Sequence, residues 1–313
     1  MRRLLALGLL GLLLPLLAPP AAAQDEVAPQ VVRVGILAIN FGNYDVNRGT
    51  YVVDFYLWFR WSPQGPDDTF TPERFEFMNG RASSKEKIFD GTTPTGAREV
   101  WYRIQANLYT DPEFGSYPFD TQRLQIVLED AVHTADALRY EPILDESGLD
   151  EGFRVSGFRI RGWEAENVPK TYAFEETYDR LVFTVTISRE VTSTLLKSFL
   201  PPLAFVLVAG LGFLLHPSKV ANRLTLGTSM LIAAVMFHIS QTVSLPPLGM
   251  LILFDKVMIA VYAFLACTLA VATLIAIDED YWKDRDHTRA INRWGVFASL
   301  LLPVLVFLLL VGV

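Results

Sequence analysis

Between positions 225 and 243 the side chains are spaced for one task, which is to face water from inside an apolar helix. Thr225, Ser229, Ile232, Met236 and Ser240 step by four, three, four and four residues, and Val243 follows three later, so all six share one helical face. That face is hydroxylated in its first turns and apolar in its middle. A helix facing only hydrocarbon has no use for Thr and Ser at those steps, whereas a helix lining water does. The pattern also fits a buried helix whose hydroxyls bond back to the backbone. One helix encloses nothing, so the water-lining reading demands an oligomer. His238 lies two residues past Met236, about 200° around the helix at 3.6 residues per turn. An ionisable group at that depth is a functional candidate, and it equally fits a satisfied histidine packed in the bundle.

A second group of side chains suits recognition. Tyr172, Phe174 and Tyr178 flank Glu175 and Glu176, while Tyr56, Trp58 and Arg60 alternate along one strand and are expected on its exposed face. Aromatic faces with nearby carboxylates attract an ammonium group through cation–π contacts. Arg60 and Arg103 would instead suit a carboxylate, and simple aromatic packing at an interface is the plainer alternative. Covalent chemistry finds no support: the sequence shows no nucleophile–base pair, P-loop, dinucleotide glycine motif or zinc-protease motif, and His133 has no evident partner. The single cysteine, Cys267, falls in an apolar run, so no disulfide within the chain and no cysteine metal site is expected. The expectation is no enzyme, no metal, no cofactor and, with 27 basic against 34 acidic residues, no nucleic-acid partner.

The elements that must position these residues divide the chain in two. From Gln24 to Glu190 the sequence is polar and aromatic-rich; from Leu195 onward it is mostly hydrocarbon. In the first part, Tyr51–Trp61, Val100–Leu108, Arg123–Leu128, Phe153–Trp163 and Leu181–Ile187 alternate or run apolar between turn clusters such as Ser62–Asp67, Asn79-Gly80 and Thr93–Gly96. Short strands with regular turns and no intervening helices predict a β-sandwich. The second part predicts a four-helix transmembrane bundle over 191–313, with helices at about 192–216, 219–244, 250–277 and 294–313, each supplying the ~20 residues a span needs. At the start, Arg2 and Arg3, the apolar run Leu4–Leu14 and Ala21-Ala22-Ala23 predict a cleaved signal peptide over 1–23. That places residues 24–190 outside the cytoplasm, in the periplasm or the extracellular space. Lys219 and Arg223, and then Lys283, Arg285, Arg289 and Arg293, fall in inner loops, as the positive-inside rule requires. Four spans return the carboxyl end to the outside.

With the elements placed, the motifs resemble a known family. Tyr117-Pro118-Phe119-Asp120 followed by Arg123-Leu124-Gln125-Ile126 is similar to the signature loop of the pentameric ligand-gated ion channels. Thr110 and Leu124 stand where the animal receptors carry the loop's two cysteines, as in prokaryotic members that lack the loop disulfide. Ile187-Ser188-Arg189, Phe199-Leu200-Pro201, Ala221–Leu226, Ser244-Leu245-Pro246 and Asp255 resemble the family's entry into the membrane, its pore helix and the start of its third span. The similarity runs in order from Gln30 to Val313. Two departures stand out. The Trp-x-Pro stretch usual before the signature loop is absent from the shorter Phe75–Val100, and Ala221 and Asn222 replace the acid that many cation-selective members carry at the inner mouth.

The resemblance implies a homopentamer embedded in lipid and conducting inorganic ions, opened by a small-molecule agonist or by protons. Its second span lines the pore, and Ile232 and Met236 form a constriction that blocks by dewetting. It implies coupling through Asp120, Arg189 and an acid on the first hairpin, taken as Asp45, with Tyr117, Pro118, Phe119 and Pro246 completing the domain junction. Two carboxylates on one buried guanidinium would resist separation, since breaking a buried pair costs ~3–5 kcal/mol. The agonist site is expected between subunits, Tyr172, Phe174 and Tyr178 facing Tyr56, Trp58, Arg60 and Arg103. Residues 24–190 hold 17 Lys and Arg against 28 Asp and Glu, an acidic excess that favours cations at the entrance. The competing class is a membrane-anchored periplasmic binding or signalling protein that conducts nothing.

Overall fold

The computed structural model describes residues 28–64, 70–282 and 285–312. The expected signal peptide lies outside the described residues, as do Lys283 and Asp284. The amino-terminal domain is a sandwich of two sheets. Its strands are β1 (Gln30–Asp45), β2 (Thr50–Trp61), β3 (Phe75–Phe77), β4 (Gly80–Thr92), β5 (Arg98–Tyr109), β6 (Thr121–Asp130), β7 (Leu138–Pro142), β8 (Gly148–Leu149), β9 (Phe158–Asn167), β10 (Lys170–Thr171), β11 (Thr177–Tyr178) and β12 (Arg180–Arg189). One sheet runs β4-β5-β2-β1-β7 with β8 added beside β1, the other runs β3-β6-β12-β9, and β10-β11 form a separate hairpin.

Alternation in β2 does what period two requires. Phe55, Leu57 and Phe59 point inward, with Ile104 of β5 beside them and Leu124, Ile126, Phe183 and Val185 of the facing sheet in the same buried cluster. Polar links cross the layer too: the Tyr51 hydroxyl donates to the Gln125 carbonyl, and the Asn79 amide reaches that carbonyl at 2.7 Å. Two strands depart from expectation. The strand expected from Phe153 starts only at Phe158, because Gly157 turns the chain at φ +82°. The β4 strand is exposed along almost its whole length, so its sequence carries no alternating signal.

Four helices follow: α1 (Val191–Leu211, continued by a 3₁₀ turn through Leu214), α2 (Val220–Thr242), α3 (Leu253–Ile277) and α4 (Arg285–Val311). All four are long and apolar enough to cross a membrane. The third starts at Leu253 rather than at 250, where the Asp255 carboxylate accepts the Ile252 N–H at 3.1 Å and caps the first turn. The fourth starts at Arg285 rather than at Trp294, because its first turns are helical but polar and add nothing to an apolar run. Buried Asp278 ties the two helices together by accepting from Thr288 and meeting His287 Nδ1 at 2.6 Å. The bundle core of Ala234, Phe254, Met258, Val261 and Leu265 also takes in Phe114 and Tyr117 from the β5–β6 loop. The two layers of the molecule thus share one apolar cluster.

Candidate functional site

Three places in the fold hold the residues singled out above: the face of α2, the junction between the domains, and the aromatic surfaces of the sandwich. Along α2, Thr225, Ser229, Ile232, Met236, Ser240 and Val243 are all exposed on the single subunit. Ile232 is 65%, Met236 62% and Val243 77% exposed, whereas Arg223, Gly227 and Ala234 on the opposite side are buried. The α2 helix therefore packs on α1 and α3 with its back and leaves the stepped face bare. Thr225 and Ser240 donate to backbone carbonyls of Ala221 and Phe237 at 2.9 and 3.1 Å. Their oxygens keep lone pairs for the open side, so back-bonding and facing water coexist here. Arg223 is turned away from that face, donating to Asn292 Oδ1 at 2.7 Å and to the Leu215 carbonyl.

His238 sits on the packed side. One ring nitrogen meets the Tyr262 hydroxyl at 2.9 Å and the other meets Asp255 Oδ1 at 2.8 Å, with Phe254 edge-on to the ring. It is a satisfied histidine bridging α2 and α3, beside the cap that starts α3.

At the junction, β12 runs into α1 and the β5–β6 loop dips onto the bundle. Arg189 Nε donates to Asp120 Oδ1 at 2.7 Å, and Gln122 Nε2 donates to Asp120 Oδ2 at 2.7 Å. The Asp120 side chain is fully buried. The Arg189 guanidinium also lies 5.2 Å from the Tyr117 ring centroid and 5.0 Å from that of Phe158. Asp45 does not join this pair. Its Oδ1 accepts the backbone N–H of Asn47 at 3.0 Å and of Arg48 at 3.3 Å, and its other oxygen pairs with Arg48 at 3.8 Å. A carboxylate one residue before a tight turn finds those two donors closer than any long-range partner. The loop's apolar residues anchor it. Phe119 stacks on Phe199 of α1 at 5.6 Å, and Tyr117, whose bond to Pro118 is cis, meets Phe254 edge-on.

Two further links across the junction are ones no side-chain pattern announces. The N–H groups of Leu253 and Phe254, orphan donors at the start of α3, are taken by the carbonyls of Gly115 and Tyr117 at 3.3 and 3.1 Å. Pro246 is half-buried in the α2–α3 connection, which docks through Leu245 and Leu248 on either side. The ends of the β5–β6 loop are tied by Thr110, whose hydroxyl donates to the Arg123 carbonyl at 2.7 Å. Beside the junction opens a cavity of about 510 Å³ lined by Arg154, Arg159, Glu190, Ser193 and Lys197.

On the sandwich, Tyr172 stacks on Phe174 at 5.3 Å and meets Tyr178 edge-on at 5.8 Å, forming an aromatic tip on the β10–β11 hairpin. Its hydroxyl donates to buried Glu129 at 2.8 Å, and Arg180 reaches the same carboxylate at 2.5 Å. Burial and the Glu129 carboxylate raise the Tyr172 phenol pKa. Phe174 is exposed, and Glu175 turns the hairpin at φ +67°.

On the β2 surface, Arg103 pairs with Asp54 at 2.9 Å and lies 5.6 Å from the Tyr56 ring. Arg60 pairs with Glu99 at 2.7 Å and Glu146 at 2.8 Å, holding the Glu146 carboxyl below the usual range. Trp58 is not on this surface. It is 1% exposed, stacked on Trp101 at 4.4 Å and folded over Gly35, its register partner on β1. A β-carbon at position 35 would lie 2.1 Å from the indole, so glycine alone leaves the space that hides this tryptophan. Tyr56 and the hairpin tip belong to different sheets of the subunit, and the fold does not bring them together. His133, for which the sequence offered no partner, meets buried Asp130 Oδ1 at 2.8 Å, a contact three residues apart.

No family model matches the sequence. Individual relatives do. The chain is 25% identical over 272 residues to a protein of Gloeobacter violaceus named "Proton-gated ion channel", covering 80% of this chain and 73% of that one. It is 25% identical over 278 residues to the rat neuronal acetylcholine receptor subunit alpha-10, covering 82% of this chain and 61% of the receptor subunit. A third match, 27% identical over 173 residues, is to "pH-sensitive chloride channel 2" of Anopheles gambiae, covering 52% of this chain and 28% of that protein. The relatives are gated ion channels. With a sandwich followed by four membrane-length helices, the chain has their order of parts, and nothing in that kinship points to an enzyme.

Proposed function

We propose that the chain is one subunit of a homopentameric gated channel in a bacterial inner membrane, its sandwich and carboxyl end on the periplasmic side. In this reading α2 lines the pore. The observation that carries it is the bare face of α2, where hydroxyls and large apolar side chains stand exposed while the other side of the helix is packed. Copies arranged about an axis would cover that face with water and one another. Rings of Ile232 and Met236 would then form a narrow apolar segment that empties of water when closed. Beneath them, Thr225 and Ser229 offer oxygens to a partly dehydrated ion.

The stimulus enters through the outer domain. On the β2 surface Arg60 and Arg103 already have carboxylate partners, Arg60 two of them, so an anionic ligand would have to compete with those pairs. Tyr56 and the Tyr172–Phe174–Tyr178 tip favour a cationic agonist held between neighbouring subunits. Protons are the second stimulus, favoured by relatives whose names record proton or pH sensitivity. The net negative outer domain supports preference for cations. Purified protein in planar bilayers tests the reading: current that rises with ammonium agonists or acid supports it, and a membrane-inserted protein that never conducts sinks it in favour of a binding or signalling protein.

A further inference from the structure

The hairpin that closes β1 onto β2 needs a contact to the Asp120–Arg189 pair if it is to act on it, and Asp45 does not supply one. Its neighbour Tyr44 is placed to do so. The Tyr44 ring lies 5.6 Å from Phe158 and edge-on to Tyr51 at 6.2 Å. Phe158 in turn contacts the Arg189 guanidinium, so its ring stands between the hairpin and the ion pair. The Tyr44 hydroxyl is buried and makes no hydrogen bond in this conformation. The charges of Asp120, Arg189 and Asp45 act on it. Burial first, and then the Asp120 carboxylate, push the Tyr44 phenol pKa upward, which keeps it a proton donor.

Asp120 has capacity to spare. It accepts one bond on each oxygen, from Arg189 and from Gln122, out of about four lone-pair sites on a carboxylate. An unpaired buried donor is costly to keep, and an acceptor with free lone pairs can relieve it. We infer that Tyr44 is the positioning residue through which the β1–β2 hairpin acts on the Asp120–Arg189 pair, its hydroxyl donating to Asp120 in the alternate gating conformation. The inference rests on the gated-channel reading, but concerns one hydroxyl that reading does not need.

The test uses the full-length protein, with protons as the probe. Tyr44→Phe removes only the hydroxyl. It should move the half-activating proton concentration about tenfold, the scale of one hydrogen bond to a charged acceptor, with assembly unchanged. Ring-fluorinated tyrosines at position 44 keep the shape and strengthen the donor, and should shift activation in graded steps that a space-filling role would not produce. In parallel, ¹³Cζ-labelled tyrosine in lipid nanodiscs, assigned by loss of the Tyr44→Phe signal, should show a second, downfield resonance on acidification. Activation curves that superimpose on the parent, or a single unbonded resonance at neutral and acidic pH, overturn the inference. A protein that passes no current with acid or with ammonium agonists, yet shows the second resonance, sinks the channel reading and leaves the Tyr44 contact standing.

Discussion

Arg189 and Asp120 meet at 2.7 Å across 69 residues of sequence, where the last strand of the sandwich becomes the first membrane helix. The carboxylate is fully buried, and two aromatic rings flank the guanidinium. The pair therefore ties the β5–β6 loop to the end of β12, where the chain enters α1.

Arg189→Ala should leave Asp120 buried with one donor fewer, at a cost of ~3–5 kcal/mol. We expect a lower thermal midpoint for the protein and loss of evoked current, with agonist binding retained. Asp45→Ala, which removes only a half-exposed turn cap, should cost about 1 kcal/mol or less. Equal effects of the two substitutions on gating would mean that the hairpin acid belongs to the coupling group after all.

Ile232 and Met236 stand on the bare face of α2. Ile232→Ser should wet the apolar ring they are proposed to form and produce leak current or greater sensitivity to the stimulus. Parent-like current from Ile232→Ser and Met236→Ser alike places the gate elsewhere.

Gly35→Ala probes the hidden tryptophan. The added carbon would sit 2.1 Å from the Trp58 indole, which must move out from its stack on Trp101. A loss of ~1–3 kcal/mol is expected from such overpacking, together with a rise in tryptophan exposure seen as a red-shifted emission. An unmoved denaturation curve would show that the indole has another place to go.

Selectivity is read from reversal potentials under a salt gradient. The acidic excess of residues 24–190 and the hydroxyls of Thr225 and Ser229 predict a shift toward the cation equilibrium potential, with weak discrimination between sodium and potassium. A shift toward chloride would align the chain with its insect relative instead.

Topology is tested with cysteines in a Cys267→Ala background. Labels at Gln64 and near Gly312 should react with an impermeant reagent from outside, and one at Asp280 only from inside. Outside labelling at Asp280 is incompatible with the four-span arrangement proposed.

Much of this arrangement was legible in the residues, because periodicity reports burial directly. Phe55, Leu57 and Phe59 alternate and are buried, and the six stepped positions of α2 share one exposed face. Trp58 escaped because alternation says which face a side chain leaves from and nothing about what lies across it; the only clue was a glycine on the neighbouring strand. Asp45 misled because a turn carboxylate satisfies local N–H groups before distant cations. The docking of the β5–β6 loop on α3 uses main-chain groups of Gly115, Tyr117, Leu253 and Phe254, which any sequence could supply. Tyr44 was missed for a related reason, since an unpaired hydroxyl shows only once its surroundings are known.

The closure of the β5–β6 loop by the Thr110 hydroxyl has a consequence for how the protein can be made and handled. A loop cinched by sulfur requires an oxidising compartment and comes undone under thiols. This one is cinched by an alcohol and a peptide carbonyl, and Cys267 lies far along the chain within α3. Its shape is therefore set by folding alone, and reducing agents at any strength used in purification should leave it closed.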